Sequence, residues 1–586
     1  MTVGGAPGRR SRRDDGRSSW TLPLVIILVI VVVAIVDHLG AHRISEVDQA
    51  PAPSLVATSG GSVTVDLDQP WSGFNPNTTA GAASSTPALL TPVLPSAFIV
   101  DPQLQPELNS DLLQSVEVTD TDPLTIVYVI NPKAVWSDGV PVSAADFIYA
   151  WEAQRGDGTD IDHQPYDAAS NLGYRDVNSV TGSPDGKTVT VVFANPFGDW
   201  RTLFSGMVPA HVAEAVGWNH GFDSFDPARD LSAGPLLVQS VSGDSAVLVP
   251  NPRWWSTPPS FGKVVVNASP SADWSGDLAG GGRAAVTRSS FDLASLSSLT
   301  SLPNVQSAVG ASVQMLQLDF AVQSPAVSSA TVRQAVAHAV DRNAIVTSVF
   351  GTLTTEPPVP DDHLTVNSQM WYQASTAAVG YDAPDPEATE HLLVSAGYHR
   401  GPDGAFVDGT GKPLVLRLAV ESGDPWIHAV ADQIVDQLHQ AGIGVTEEDV
   451  DGVSGLAAAA ELHAYDMALV TRTAGPYLSV TQGWYSLGLG PVGKNGSADW
   501  SGFDDPQVDQ LFAEAEVELN PLNSGAVYGQ IDDQLWDQMV GLPIVQEPVL
   551  SAHDVQISGV VPNPSINGTL WNVGTWKPLV PGPTSS

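Results

Sequence analysis

Residues that could carry enzyme chemistry occur throughout this chain, but their spacing forms no catalytic or metal-binding motif. The absence of cysteine excludes thiol catalysis, disulfides and cysteine-ligated metals. The 13 histidines are scattered, without a His-Glu-x-x-His motif or another paired metal-ligand spacing. Aspartates and glutamates are plentiful, yet no pair is singled out as an acid/base couple. We therefore predict that the protein is not an enzyme and has no metal site and no cofactor.

One segment, Gly243-Asp244-Ser245-Ala246, weakly resembles a serine-hydrolase motif. It lies between predicted strands at 236–241 and 246–249, where a hairpin turn requires glycine and aspartate in any case. The pattern therefore favours a turn. The chain also has no phosphate-binding P-loop and no glycine-rich dinucleotide motif after a strand.

The elements around these residues alternate between strands and amphipathic helices. Strand patterns occur at 62–67, 124–130, 188–193, 236–241, 246–249, 264–266, 414–420 and 467–470. Helical periodicity and helix-end signals occur at 143–151, 331–350, 384–396, 429–440 and 506–518. In a chain of 586 residues this mixture predicts α/β architecture divided into two or three lobes.

The charge balance restricts the possible partners. The chain has 24 Lys and Arg residues against 64 Asp and Glu residues, a formal net charge of −40 at pH 7. A body this acidic repels phosphate backbones and anionic lipid surfaces. We therefore predict that the protein does not bind nucleic acid.

The N-terminus has the pattern of a membrane-targeting segment. Residues 1–19 are polar with five arginines, and residues 22–36 are apolar without interruption. The arginines predict that the N-terminus stays in the cytoplasm and that the body is exported. We predict a cytoplasmic tail at 1–19, a transmembrane signal anchor at 20–38 and a flexible tether at 39–60; a cleaved signal peptide is the alternative. The protein would then lie in the cell membrane as a single-pass protein with its body outside.

Two long motifs resemble the family-5 extracellular solute-binding proteins, whose members bind oligopeptides, dipeptides and nickel. Residues 131–151 (NPKAVWSDGVPVSAADFIYAW) resemble the family segment with KWSDG and PVTA, and residues 331–351 (TVRQAVAHAVDRNAIVTSVFG) resemble its VRQA and DR segment. Within these motifs we expect Arg333, Asp341 and Arg342 to form ion pairs of the scaffold. Shorter matches follow the family order, so the resemblance extends over about residues 60–580.

The resemblance implies an α/β, two-lobed periplasmic-binding-protein fold (type II) with an extra domain on the first lobe, preceded here by one N-terminal transmembrane helix. The first lobe would span 61–270, with the extra domain at about 86–200; the second would span 271–540, and 541–586 would return to the first. Ligand would be enclosed between lobes that close about a hinge. An ABC permease with its ATPase would read the closed form, and we expect a monomer.

The resemblance also places the ligand contacts. On the first lobe, the loop after the first strand carries Trp71, Ser72 and Asn75, and this loop faces the cleft in the family. On the second lobe, peptide-binding members have an acidic residue that captures the peptide's N-terminal ammonium group, and Gly475 stands near that position here. A free N-terminal amine would therefore lack its charge partner.

Three further residues of the second lobe are predicted at the site. Arg472 and Thr473 lie next to the position of the missing carboxylate, and Trp484 is a candidate for stacking on the ligand. We expect Arg472 to point into the cleft and to favour an anionic group.

Two functions stay open. The first is a ligand-capturing module of an ABC importer, for peptides or a related small polar ligand. The second is a membrane-tethered regulator of cell-envelope glycolipid assembly, without a transport role, on the same fold.

Overall fold

The computed structural model describes residues 55–268, 274–280, 282–288, 291, 293–353, 356–369, 372–378, 380–422, 425–486 and 498–581. The predicted cytoplasmic tail, the signal anchor and most of the tether lie outside the described residues and remain predictions. Within the described part of the chain, no helix is both long and apolar enough to span a bilayer. The stretch from Val56 to Val580 forms one unit.

Strands and helices alternate along this unit without a strict repeat. The strands are β1 (Leu55–Ala57), β2 (Ser62–Asp66), β3 (Phe98–Val100), β4 (Pro106–Leu108), β5 (Leu113–Thr121), β6 (Leu124–Ile130), β7 (Val177–Gly182), β8 (Thr188–Phe193), β9 (Leu236–Ser242), β10 (Ser245–Pro250), β11 (Lys263–Asn267), β12 (Ala284–Arg288), β13 (Val305–Phe320), β14 (His399–Arg400), β15 (Phe406–Val407), β16 (Val415–Glu421), β17 (Gly444–Val450), β18 (Met467–Thr473), β19 (Gly541–Asp554), β20 (Ile557–Ser558) and β21 (Lys577–Pro581). The α-helices are α1 (Thr79–Ala82), α2 (Thr86–Leu90), α3 (Ala144–Gln154), α4 (Ala210–Val216), α5 (Trp274–Ala279), α6 (Leu293–Thr300), α7 (Ala330–His338), α8 (Arg342–Phe350), α9 (Pro386–Ser395), α10 (Pro425–Ala441), α11 (Gly452–Glu461), α12 (Gln482–Tyr485), α13 (Pro506–Val517) and α14 (Pro521–Gln538).

The main sheet has ten strands in the order β17-β16-β18-β13-β19-β12-β2-β11-β10-β9. β13 and β19 pair antiparallel with each other, but the ladder is interrupted between Ala311 and Met315. On one side of the interruption β12 pairs with β19, and on the other side β18 pairs with β13. We name lobe I the residues 56–268 and 557–580, whose buried apolar side chains form one core, and lobe II the residues 315–546. A break of this kind bends a ladder and is a natural hinge.

The predicted crossings between the lobes, at 270/271 and 540/541, stay predictions. The interruption of the ladder lies at 311–315, opposite Gln546–Pro548. The two strands that carry it are long, 16 residues in β13 and 14 in β19. Sequence reasoning missed both strands.

The stretch predicted as the extra domain carries a separate antiparallel sheet, β5-β6-β8-β7, together with α3. Alternate side chains of β6 and β8 are buried, as in a sheet with one covered face. They pack with α3 into the largest apolar core of the protein, which extends through lobe I.

The predicted hairpin turn and the predicted start of a helix at residue 143 are both confirmed. Gly243 has a φ of +57° in the turn that joins β9 to β10, so the Gly-Asp-Ser-Ala segment is a hairpin turn. Ser143 and Asp146 form a reciprocal capping box at the start of α3.

The helix predicted at 331–350 is in fact two helices, α7 and α8. Asp341 begins the second one, because its side chain accepts the N–H group of Ala344 at 2.8 Å. Arg342 forms the expected ion pair, with Asp361 at 3.0 Å. Arg333 does not: its guanidinium donates instead to the carbonyl oxygens of Val327, Ser328, Gln538 and Met539.

Candidate functional site

The lobe I loop that the resemblance places at the cleft is held by internal hydrogen bonds. The N–H group of Ser72 donates to the hydroxyl of Ser84 at 3.0 Å. Asn75 is buried, and its Oδ1 accepts the N–H group of Asn77 at 3.1 Å. Trp71 is half-buried against the lobe I core, and Ser72 is exposed. Trp71 and Ser72 therefore stay candidate contacts, whereas Asn75 shapes the turn.

Arg472 does not lie free in a cleft, and the prediction of an anion contact is corrected. The residue is 1% exposed, its Nη2 donates to the carboxylate of Asp319, and its Nη1 donates to the carbonyl oxygen of Ala498 at 2.5 Å. Its guanidinium carbon lies 5.5 Å from the ring centre of Trp484 and 5.3 Å from that of Tyr485. Because the charge already has a buried counter-ion and two aromatic neighbours, Arg472 belongs to the interior of lobe II and is not available to a ligand.

The other predicted residues of lobe II separate into two groups. Thr473, the last residue of β18, is exposed and pairs with Gln314 of β13. Gly475 is half-buried, and its carbonyl oxygen accepts Nε2 of Gln369 at 2.7 Å. Trp484 is buried beside the guanidinium described above. Thr473 and Gly475 thus stay together at the end of β18, while Trp484 belongs to the interior.

The end of β18 has a described partner strand on one side only. β13 pairs with β18 from Met467 to Thr473, whereas the described pairing with β16 stops at Ala468. Residues 469–473 therefore form a strand edge next to the hinge, of which Leu469, Val470 and Arg472 are buried, whereas Thr471 is half-buried and Thr473 is exposed. Such an edge is where an extended peptide can add as a further strand.

A hairpin of lobe I reaches this edge. In the turn between β3 and β4, Leu104 has a positive φ of 59° and is only 3% exposed. A left-handed backbone costs roughly 1–2 kcal/mol for a residue with a side chain, and burial of the leucine offsets this cost. The side chain belongs to a small apolar cluster with lobe II and hinge residues: Val313, Met315, Val366 and Ala474. Leu104 therefore ties lobe I to the end of β18.

A second contact between the lobes is polar. Oδ2 of Asp199 in lobe I accepts the N–H group of Ser479 at 3.0 Å, and Nη2 of Arg175 lies 2.7 Å from Oε1 of Glu516. Burial raises the pKa of both carboxyl groups, although Ser479 and Arg175 act in the opposite direction. A cavity of about 30 Å³ remains here, next to Tyr477, enough for about one or two waters. The lobes are closed along this side.

Sequence reasoning missed the residues that join the lobes. Leu104, Asp199 and Glu516 lie outside the predicted site, and nothing local in the sequence names their partners. Glu547 of β19 was missed as well: it accepts the hydroxyl of Thr471 at 2.8 Å across a separation of 76 residues. Only Ser479 could have been suspected from the sequence, because it closely follows Gly475, a predicted site residue.

Among the described residues, one group has the side chains and the spacing for a metal ion. His428, Glu447 and Asp449 bring their ligand atoms within 4.8 Å of one another. The three lie on the surface of lobe II, where such charges are commonly solvated. The absence of a metal site stays a prediction.

Two lobes, two connecting strands with a break between them, and a strand edge at the break define a bilobal solute-binding protein. A family model described as bacterial extracellular solute-binding proteins, family 5 middle, matches residues 107–493. The chain belongs to this family, which confirms the resemblance. It is a family of extracytoplasmic solute-binding proteins, not of enzymes, that bind peptides or related ligands for ABC importers.

Three similar proteins extend the comparison. The oligopeptide-binding protein OppA of Mycobacterium tuberculosis is 28% identical over 513 residues, 86% of this chain and 82% of the relative. The probable monoacyl phosphatidylinositol tetramannoside-binding protein LpqW of the same species is 26% identical over 423 residues, 67% of this chain and 65% of the relative. The periplasmic EDTA-binding protein EppA has a solved structure with a TM-score of 0.81 at 24% identity, covering 91% of this chain and 99% of that one. The last comparison confirms the two-lobed fold.

Proposed function

We propose that this protein captures a peptide, or another small polar ligand with an extended backbone, between its two lobes and presents it to an ABC importer. The observation that carries the proposal is the strand edge at residues 469–473, next to the hinge and to Leu104 of lobe I. A ligand that pairs with this edge would use its main chain, so side chains of different kinds could be accepted. The protein would act by binding and release, without catalysis.

The ligand would not need a free N-terminal ammonium group at the position where peptide-binding relatives hold one. Gly475 supplies no carboxylate, and its carbonyl oxygen is already used by Gln369. Thr473 and Ser72, both exposed, are the polar side chains that we propose for the ligand instead. Trp71 would pack on an apolar part of the ligand.

The alternative function has one specific observation in its favour, the similarity to LpqW, whose name describes binding of a mannosylated phospholipid. In that case the body would recognise a glycolipid or a partner of cell-envelope assembly. Both functions use an extracytoplasmic body, which we propose is held by the predicted anchor at 20–38. N-terminal sequencing of the protein from membranes would test this anchor, because a cleaved signal would remove these residues.

The first experiment is native mass spectrometry of the full-length protein, purified gently in a mild detergent, with identification of any released ligand. A co-purified peptide population supports the importer function. A glycolipid supports the alternative. A protein that is empty and shows no thermal shift with peptide pools contradicts the proposed capture of peptides.

A second experiment measures lobe closure. Because the chain has no cysteine, spin labels can be introduced cleanly at Ser240→Cys in lobe I and Ser454→Cys in lobe II, both exposed. We expect the identified ligand to narrow the distribution of distances between these labels and to shift it to shorter values. The matched control pair, Ser240→Cys with Thr181→Cys, lies entirely in lobe I and should not change. An unchanged distance between the lobes argues against a closing mechanism.

A further inference from the structure

Lobe II contains a cavity of about 280 Å³ whose lining residues all belong to that lobe. It lies between α14 and the segments 362–365 and 373–375, and it opens to solvent past Gln373 and Gln530. Its volume is close to the lower end, roughly 300 Å³, of pockets that hold small molecules. The cavity is thus large enough for a small ligand and does not depend on the closure of the lobes.

The floor of this cavity is acidic. Asp362 is 7% exposed and Asp532 is 2% exposed, and both line the cavity, with Asp533 at the rim. Asp532 has an imidazole partner, because Nδ1 of His363 lies 2.7 Å from its Oδ1. The described hydrogen bonds of Asp362 come only from backbone N–H groups, those of residues 364 and 365, both at 2.7 Å to Oδ1.

The environment of Asp362 opposes its negative charge. Burial raises the pKa of this carboxyl group well above its usual value, and the neighbouring charge of Asp532 adds to the effect. The two backbone N–H groups and the nearby Thr365 hydroxyl act in the opposite direction without cancelling it. A cation placed between Asp362 and Asp532 would relieve both the burial and the repulsion.

A buried hydroxyl lines the same cavity. Thr365 is 1% exposed, and its Oγ1 has no hydrogen-bond partner of normal geometry among the described residues. A buried hydroxyl without a partner is destabilising and calls for an explanation, of which a bound donor is one. Oγ1 can accept a hydrogen bond from the same cation that meets the two carboxylates.

We propose that this cavity binds a primary ammonium group on a short alkyl chain, with Asp362 and Asp532 as its anionic partners and Oγ1 of Thr365 as a third acceptor. An ammonium group carries three N–H donors, which matches these three acceptors. The apolar part of the lining, Leu364, Leu478 and the ring of Tyr528, would contact the methylene groups. The inference stands apart from the proposed function, because no residue of lobe I takes part.

The test is isothermal titration calorimetry of the full-length protein with pentane-1,5-diamine, at neutral pH and about 0.15 M salt so that surface attraction is screened. We expect one site for the diamine and no binding of pentane-1,5-diol, which has the same length without charge. Asp362→Asn keeps an acceptor for the two backbone N–H groups and removes the charge. It should weaken diamine binding by at least about tenfold.

The matched control is Asp436→Asn on the exposed face of α10, which removes the same charge from the surface of lobe II. This variant should bind the diamine like the original protein, because we propose that binding depends on the cavity and not on a general attraction of the diamine to the net charge of −40. A structural role of Asp362 is separated by thermal unfolding: without ligand, Asp362→Asn should unfold at the same temperature or higher, because a disfavoured charge is removed.

A second variant, Thr365→Val, keeps the shape of the side chain and removes only the hydroxyl. We expect it to fold normally and to weaken diamine binding several-fold. The proposal is overturned if the diol binds as well as the diamine, or if Asp362→Asn and Asp436→Asn bind the diamine equally.

Discussion

Asp146 in lobe I and Asp319 in lobe II are both buried carboxylates on regular elements, and each is satisfied in a different way. Asp146 accepts hydrogen bonds from three neutral donors: Nε1 of Trp136 at 3.3 Å, the N–H group of Ser143 at 2.8 Å and the N–H group of Ala210 at 3.0 Å. These donors come from the WSDG turn, the start of α3 and the start of α4. Asp146 therefore holds three segments together without a cation.

Asp319 is paired with a charge. Its carboxylate accepts hydrogen bonds from Nη2 of Arg472 and, at 2.5 Å, from Nε2 of Gln317, which also donates to the hydroxyl of Tyr485. Burial is the main reason that the pKa of both Asp146 and Asp319 is raised. At Asp146 hydrogen bonds oppose this effect, whereas at Asp319 the charge of Arg472 is the main opposing cause. A substitution of Asp146 would leave neutral donors without their acceptor, whereas a substitution of Asp319 would leave a buried cation without its counter-ion.

The largest effect is expected from Asp319→Asn. The substitution leaves the guanidinium of Arg472 buried without a counter-ion, which should lower the free energy of unfolding by about 3–5 kcal/mol. Urea denaturation of the full-length protein measures it. The matched control is Glu390→Gln in lobe II, because Glu390 and its partner Arg400 are both exposed, at 52% and 39%, and can be rehydrated. A loss of only about 1 kcal/mol is expected there, and equal losses for the two variants would contradict the assigned role of the buried pair.

The pair can also be removed as a whole. Asp319→Leu with Arg472→Met replaces both charges by apolar side chains, and the double variant should lose less stability than the sum of the single losses, by about 2–3 kcal/mol. The single and double variants form a cycle that isolates the coupling between the two side chains. If the losses simply add, Arg472 is held by its aromatic neighbours and not by Asp319.

The same contrast separates what could be predicted from the sequence. Ser143 and Asp146 are three residues apart before a hydrophobic helix, so the capping box follows from local pattern. Asp319 and Arg472 are 153 residues apart, and a local pattern cannot say which buried residues meet. Arg472 was therefore predicted at the ligand, although it is an interior residue.

The fold itself was predicted well where one pattern extends over a whole element. The strands β6 and β8 alternate strictly between buried and less buried residues, and their predicted bounds agree with the structure. β13 was missed because its first half alternates whereas its second half is buried on both faces. That change follows from its passage between the lobes, which depends on tertiary contacts. The position of the hinge was therefore out of reach of the sequence.

A smaller effect is expected from Asp146→Asn, which leaves no charge behind and keeps one acceptor. We expect a loss of about 1 kcal/mol near pH 4. The raised pKa of Asp146 means that the folded state binds the proton more tightly than the unfolded state, so its stabilising contribution is present at low pH and is lost as the pH rises. The loss caused by the substitution should therefore shrink between pH 4 and pH 7, measured by urea denaturation. A loss that grows with pH would mean that the ionised form is the one that the fold stabilises.

The smallest effect is expected at Asp230 of lobe I, a carboxylate with neither three donors nor a full ion pair. Its Oδ2 accepts the N–H group of Asp226 at 2.6 Å, and burial raises its pKa to about 7. Because this pKa lies above the unfolded value of about 3.9, the contribution of Asp230 to stability is present below pH 4 and lost as the pH rises to 7. Asp230→Asn should therefore raise the free energy of unfolding at pH 8, where the ionised carboxyl group is disfavoured, with no change near pH 4. Asp223→Asn, which changes an exposed carboxylate nearby, should alter the free energy of unfolding at neither pH. If Asp230→Asn instead destabilises the protein at pH 8, the ionised carboxylate of Asp230 contributes to stability.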